Sequence, residues 1–177
     1  METSRDVMSK PWSVGILTIS DTRSAGSRAD TTTALIQRVM QEAGFTVKER
    51  RLIPDVRAQI EACLIELADT RVLPLVLTTG GTGFGPRDVT PEATRAVIER
   101  EAPGLPEAMR SATASRTALA WLSRGIAGMR GRTLIVNLPG SPGAVEECLA
   151  VLVPLLPHAL EMIGGVSHGA RAAVADS

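Results

Sequence analysis

Three short runs of aliphatic and β-branched residues, Val14 to Ile19, Leu75 to Thr78 and Thr133 to Asn137, each break off into a polar or glycine-rich segment. Apolar residues at helical spacing follow each of them. Such runs are the pattern of strands buried on both faces, and strands alternating with helices through short links build a parallel sheet between two helical layers. A fourth run, Phe45 to Ile53, ends at Pro54-Asp55. The first expected helix runs from an Asp30 cap through Leu35, Val39 and Met40 to a stop at Gly44. The next opens at Pro54-Asp55 and carries Ile60, Cys63, Leu64 and Leu67 inward, and a third runs from a Thr90 cap, with Pro91 at its first position, to about Arg100. The last starts at a Ser141 cap with Pro142, continues to Ile163, and must kink or break at Pro154 and Pro157. Between Pro103 and Gly131 the pattern is interrupted, and short helices and loops are expected there, with Leu119, Trp121 and Leu122 partly buried. The fold class is α/β, a three-layer α/β/α sandwich with a mostly parallel sheet. One domain over residues 12–165 is expected, between a flexible arm, 1–11, and a flexible tail, 166–177.

Composition restricts the chemistry. Basic and acidic residues balance at 19 each, so no net field draws the chain to nucleic acid or an anionic membrane. The longest apolar stretch, Leu149 to Leu160, is too short to span a bilayer and contains two prolines. The first ten residues lack the pattern of a secretory signal, and Cys63 and Cys148 lack metal-ligand spacing, so buried thiols and a cytoplasmic location are expected. The chain has no Tyr, two Lys (Lys10 and Lys48) and two His (His158 and His168), both near the end. Acid–base work therefore falls to carboxylates, and positive charge for an anionic ligand falls to Arg.

Thr78-Thr79-Gly80-Gly81-Thr82-Gly83 places three glycines and three hydroxyls at a strand end, where backbone N–H groups can approach an anion. No Lys-Ser/Thr pair follows, so this is not a Walker A loop. A phosphate cradle and a ligand-free tight turn are both open on the glycines alone. Asp88 suits a Mg²⁺ ion held against such a phosphate chain, or a local Asp turn, and Asp55 suits either the site or a helix cap. Pro139-Gly140-Ser141-Pro142 is a second helix entrance that either binds an anion or only caps, and Asn137 either orients a ligand or closes the turn. Arg87, Arg110, Arg116 and Arg124 are the candidates to neutralise phosphate.

These segments, with Thr18-Ile19-Ser20-Asp21, Leu52-Ile53-Pro54-Asp55, Pro86 to Thr94 and Leu122-Ser123-Arg124, resemble the MogA-type molybdopterin adenylyltransferases, whose family includes the G domain of gephyrin. The resemblance covers about residues 13–165 and implies a mixed sheet, a homotrimer and possible hand-over to a molybdenum-insertion protein. It implies transfer of AMP from ATP to the terminal phosphate of molybdopterin, with Mg²⁺. It carries catalytic and metal-holding roles to Asp55 and Asp88. Pterin and nucleotide contacts are carried to Ser20, Asp21, Thr79, Gly80, Gly81, Thr82, Gly83, Ser123, Arg124, Asn137, Pro139, Gly140, Ser141 and Pro142. Two positions depart from the family: Thr31-Thr32-Thr33 stands where relatives soon have Gly after the acid, and Gly143 where bacterial members often have Lys. The rival readings are a pterin-binding scaffold of the MoaB type and a CinA-type pyrophosphatase. The latter often has two adjacent acids where this chain has Asp88-Val89.

Overall fold

Side chains alternate between the two faces of a strand, and here both faces are apolar. In β1 (Ser13–Ile19) Val14 and Ile16 enter one core while Leu17 and Ile19 enter the other. The same division holds in β3 (Leu75–Thr79), where Leu75 and Leu77 oppose Val76, and in β6 (Thr133–Leu138), where Leu134 and Val136 oppose Ile135. Each such buried side chain contributes about 1.5–3 kcal/mol of transfer free energy, so the double-sided pattern requires a helical layer on each face. The computed structural model describes residues 12–26 and 29–165; the arm and tail expected at 1–11 and 166–177 lie outside the described residues.

One layer comprises α3 (Arg57–Ile65) and α4 (Thr90–Val97), and the other α2 (Thr31–Glu42), α5 (Gly104–Ala114), α6 (Pro142–Leu152) and α7 (Leu156–Ile163). A four-residue helix, α1 (Asp21–Ser24), follows β1 directly. The six strands are ordered β2-β1-β3-β6-β5-β4, with β2 (Thr46–Ile53), β1, β3 and β6 parallel. β5 (Ala127–Arg130) and β4 (Arg100–Glu101) add antiparallel pairs, so the sheet is mixed. The chain leaves β1 for β2 on one side and returns to β3 on the other, which opens a crevice at the carboxyl ends of β1 and β3.

Asp30 caps α2 by accepting from the Thr33 N–H at 3.1 Å, and Gly44 follows the helix at φ +85°. Ser141 precedes α6 with Pro142 at its first turn, and the path from α6 to α7 bends by 61° across the prolines, both as expected. No single described helix is long and apolar enough to cross a membrane.

One open alternative is decided and three local expectations are corrected. Asp55 does not cap α3, whose N-cap is Val56. Thr90 is the first residue of α4 rather than its cap, because its hydroxyl reaches back to the Gly80 carbonyl at 2.9 Å. That helix ends at Val97, since Ile98 turns extended and leads to the edge strand β4. Leu119, Trp121 and Leu122 occupy a 3-10 turn at the surface and are 70%, 59% and 47% exposed.

Candidate active site

The glycine loop follows β3 without a break. Gly80 has φ +100° and Gly81 φ +64°, a region that side-chain-bearing residues rarely adopt. A Cβ on Gly80 would collide with the Ile19 carbonyl of the neighbouring strand, and one on Gly81 would collide with the Thr90 hydroxyl and come within 3.0 Å of Asp55 Oδ1. The glycines are thus dictated by backbone packing between loop, β1 end and α4. The turn after β6 completes the floor: Thr79 Oγ1 donates to the Pro139 carbonyl at 2.6 Å, and Gly140 packs on Gly80.

Two chambers open above this floor. The larger, about 470 Å³, lies between the glycine loop and α5 and α6, with Thr82, Met109, Leu122, Ser123, Asn137 and Ser141 in its walls. The smaller, about 220 Å³, is polar and is bounded by Ser20, Thr22, Arg23, Asp55, Gly80 and Gly81. Gly81, Asp88 and Gly140 border both.

Asp55 sits at the end of β2, where its carboxylate and that of Asp21 are interlocked. The Asp21 N–H donates to Asp55 Oδ2 at 2.8 Å and the Asp55 N–H donates to Asp21 Oδ1 at 3.0 Å. The two carboxylates then part company. Burial, with the charges of Asp21 and Asp88, pushes the Asp55 carboxyl above the usual range, even though the Asp21 N–H and Arg87 act to lower it. Asp21 is held below the usual range by hydrogen bonds from the Arg87 guanidinium, which grips both its oxygens at 2.8–3.0 Å, and then by the Asp55 N–H. Asp88 Oδ2 accepts from the Gly85 N–H at 2.9 Å, so the local Asp turn exists, while its carboxylate also borders both chambers.

Of the other residues named from the sequence, Asp21, Thr79, Arg124 and Pro142 line neither chamber. Arg124 instead staples the glycine loop from outside. Its Nε donates to Gly83 O at 2.7 Å, its Nη2 to Asp88 O at 2.6 Å, and its Nη1 pairs with Glu92. That pairing holds the Glu92 carboxyl below its usual range. Asn137 spends its amide internally, donating to Thr78 and Thr94 hydroxyls at 2.9 Å each and accepting from the Ile126 N–H at 3.2 Å. Arg87 is committed to Asp21, Arg110 to the Ser123 and Gly125 carbonyls, and Arg116 to Glu147. Thr32 is buried and Thr33 bonds to Asp30 and Thr18, so these two turn inward while Thr31 stays exposed. Cys148 is buried, Cys63 half-buried, and burial raises both thiols, Cys148 to about 11.

The sequence reading missed Arg23, which is buried in the wall of the polar chamber, and Glu92, the partner of Arg124. No local pattern marks an arginine in a four-residue helix, whereas Glu92 lies in the first turn of α4 and reads only as a dipole complement.

A family described as a probable molybdopterin binding domain matches residues 15–158. The molybdopterin adenylyltransferase of Helicobacter pylori is 40% identical over 154 residues, covering 86% of this chain and 88% of that one. The molybdenum cofactor synthesis protein cinnamon of Drosophila melanogaster is 44% identical over 151 residues, but this chain spans only 25% of its length. Among solved structures, the molybdopterin biosynthesis enzyme MoaB of Thermus thermophilus superposes with a TM-score of 0.83 at 50% identity, covering 87% of this chain and 97% of that one.

Proposed function

The chain belongs to the molybdopterin-binding domain family, and from that premise we propose that it transfers AMP from ATP to the terminal phosphate of molybdopterin, within molybdenum cofactor biosynthesis. The observation that carries this reading is the meeting of two chambers at Gly81, Asp88 and Gly140. Two substrates that must exchange a phosphoryl-linked group need adjoining sites with the reacting phosphorus at the junction.

In the reaction an oxygen of the pterin phosphate forms a bond to the α-phosphorus of ATP, the bond from that phosphorus to the β-phosphate oxygen breaks, and pyrophosphate departs with the electron pair. A phosphate monoester is largely dianionic near neutral pH, so the attacking oxygen needs no general base. This agrees with walls that contain no His, Lys or Tyr. The protein's task is alignment and charge neutralisation. The Gly80-Gly81 backbone lets a phosphate chain approach closely, Thr82 and Ser123 offer hydroxyls, and the larger chamber accommodates a planar ring.

Asp55 and Asp88 would hold Mg²⁺. Among the described residues no cluster of three or more His, Cys, Asp or Glu is poised for a metal. A pair of carboxylates bordering a phosphate site suits an ion that completes its shell with water and substrate oxygens. Bound there, Mg²⁺ supplies positive charge to the phosphate chain. Assembly as a homotrimer, supported by the exposed Trp121, belongs to the same proposal, as do a cytoplasmic location and hand-over to a molybdenum-insertion protein.

Incubation of the purified chain with molybdopterin, ATP and Mg²⁺ is expected to yield adenylated molybdopterin and one pyrophosphate per adenylate transferred. The likeness to MoaB keeps a second reading open, a pterin-binding protein with little catalysis. Tight pterin binding without pyrophosphate release would establish that one instead.

A further inference from the structure

Among the described residues Arg23 is the only buried charged residue, at 7% exposure. Its Nη2 donates to the Thr32 hydroxyl at 3.2 Å and to the Gly140 carbonyl at 3.3 Å. Among the described residues its buried Nε finds no acceptor and its guanidinium joins no ion pair. A guanidinium removed from water without a counter-ion is costly, and an unmade donor adds to the cost. The arrangement makes physical sense if an anion completes it. Arg23 forms part of the wall of the polar chamber, which Asp55, Asp88 and the positive-φ backbone of Gly80 and Gly81 also line. At about 220 Å³ the chamber is below the size that takes a nucleoside or a pterin, but it has room for phosphate groups.

We propose that Arg23 binds a phosphate oxyanion of a substrate in the polar chamber, supplying positive charge to the chamber that Asp55 and Asp88 also line. The inference rests on the adenylyl-transfer reading only for the identity of that phosphate, which belongs either to the nucleotide or to the pterin. Its geometry follows from the fold. Ser20 receives the Arg23 N–H at 3.3 Å and so starts the short helix that turns the side chain under the Pro139–Ser141 turn, where Gly140 anchors it. The bonds to Thr32 and Gly140 hold the guanidinium in place before ligand arrives, which lowers the ordering cost of binding.

Calorimetric titration of inorganic pyrophosphate, with Mg²⁺ present, into the full chain and into Arg23→Gln and Arg23→Lys tests this without turnover. The unmodified chain is expected to bind, Arg23→Gln to bind at least tenfold more weakly, and Arg23→Lys, which keeps the charge, to fall between them. Pyrophosphate should also raise the Tm of the unmodified chain more than that of Arg23→Gln. If Arg23→Gln does not fold, the loss in Arg23→Lys carries the test. In turnover, a KM rise confined to ATP assigns the phosphate to the nucleotide, and one confined to molybdopterin assigns it to the pterin.

Equal pyrophosphate affinity in all three proteins, or no binding by any, overturns the proposal and leaves Arg23 as a brace between Thr32 and Gly140. The two readings fail separately. Arg23-dependent pyrophosphate binding without adenylated product sinks adenylyl transfer and spares the Arg23 site, whereas normal product formation with Arg23-independent binding does the reverse.

Discussion

Among the described residues no cationic side chain pairs with Asp55 or Asp88, which face the chambers, while a few residues away Asp21 and Glu92 are each clasped by an arginine. The four share one carboxylate chemistry and opposite electrostatic conditions. Asp55 is pushed toward protonation by burial and by its acidic neighbours; Asp21 and Glu92 are held ionised by Arg87 and Arg124. The outer pairs are therefore built to shape the loops, while the inner pair lines the chambers without an ion pair among the described residues. Natural sites retain such unbalanced groups at the expense of stability.

The comparison breaks most violently at the loop that both sets share. Gly80→Ala forces a Cβ into the Ile19 carbonyl and a left-handed backbone on alanine, so urea unfolding should show a loss of about 2–4 kcal/mol. Wild-type stability in that variant would contradict the packing described. Next in size is Arg124→Met, which removes the donors to Gly83 and Asp88 carbonyls and strands Glu92. A loss of about 1–3 kcal/mol is expected in the same measurement, and an unchanged midpoint would mean the staple is idle.

Asp55→Asn should do the opposite. Because the folded pKa of Asp55 lies above its unfolded value, stability is lost as pH rises from the unfolded pKa through the raised folded one, and the penalty fades again as acid protonates the carboxyl. The amide can still accept from the Asp21 N–H, so Tm at neutral pH should rise, with the gain vanishing at low pH. A lower Tm at neutral pH would show that burial does not dominate there. The smallest effect belongs to Arg87→Gln. Asp21 is depressed by Arg87, so the stability it brings is present above its unfolded pKa and is lost as pH falls through the folded one. Without Arg87, acid unfolding should begin at a higher pH, and an unmoved acid limb would make the pair ornamental.

Much of the fold was legible from the chain because β1, β3 and β6 are apolar on both faces and end where glycine or polar residues end them. The stretch from Pro103 to Gly131 was not, since α5 begins at Gly104-Leu105-Pro106 without a side-chain cap and β5 is only four residues long. Local spacing made Thr90 a cap and left Asp55 open between a cap and the site, but their partners, the Gly80 carbonyl and Asp21, lie 10 and 34 residues away. Arg124 could be placed near the site and not assigned its part, because whether a guanidinium faces ligand or backbone depends on carbonyls brought together by the loop. Arg23 carried no signal at all; its burial comes from Thr32 and Gly140, which the sequence separates from it by 9 and 117 positions.

The division between inner chemistry and outer scaffolding is tested most directly by measuring kcat and Tm together on Asp88→Asn. The amide keeps the hydrogen bond from Gly85, so Tm should stay near that of the unmodified chain while AMP transfer falls by about 10²-fold or more. An Asp88→Asn protein that turns over at the normal rate, or one that loses activity only in step with its Tm, would contradict the account.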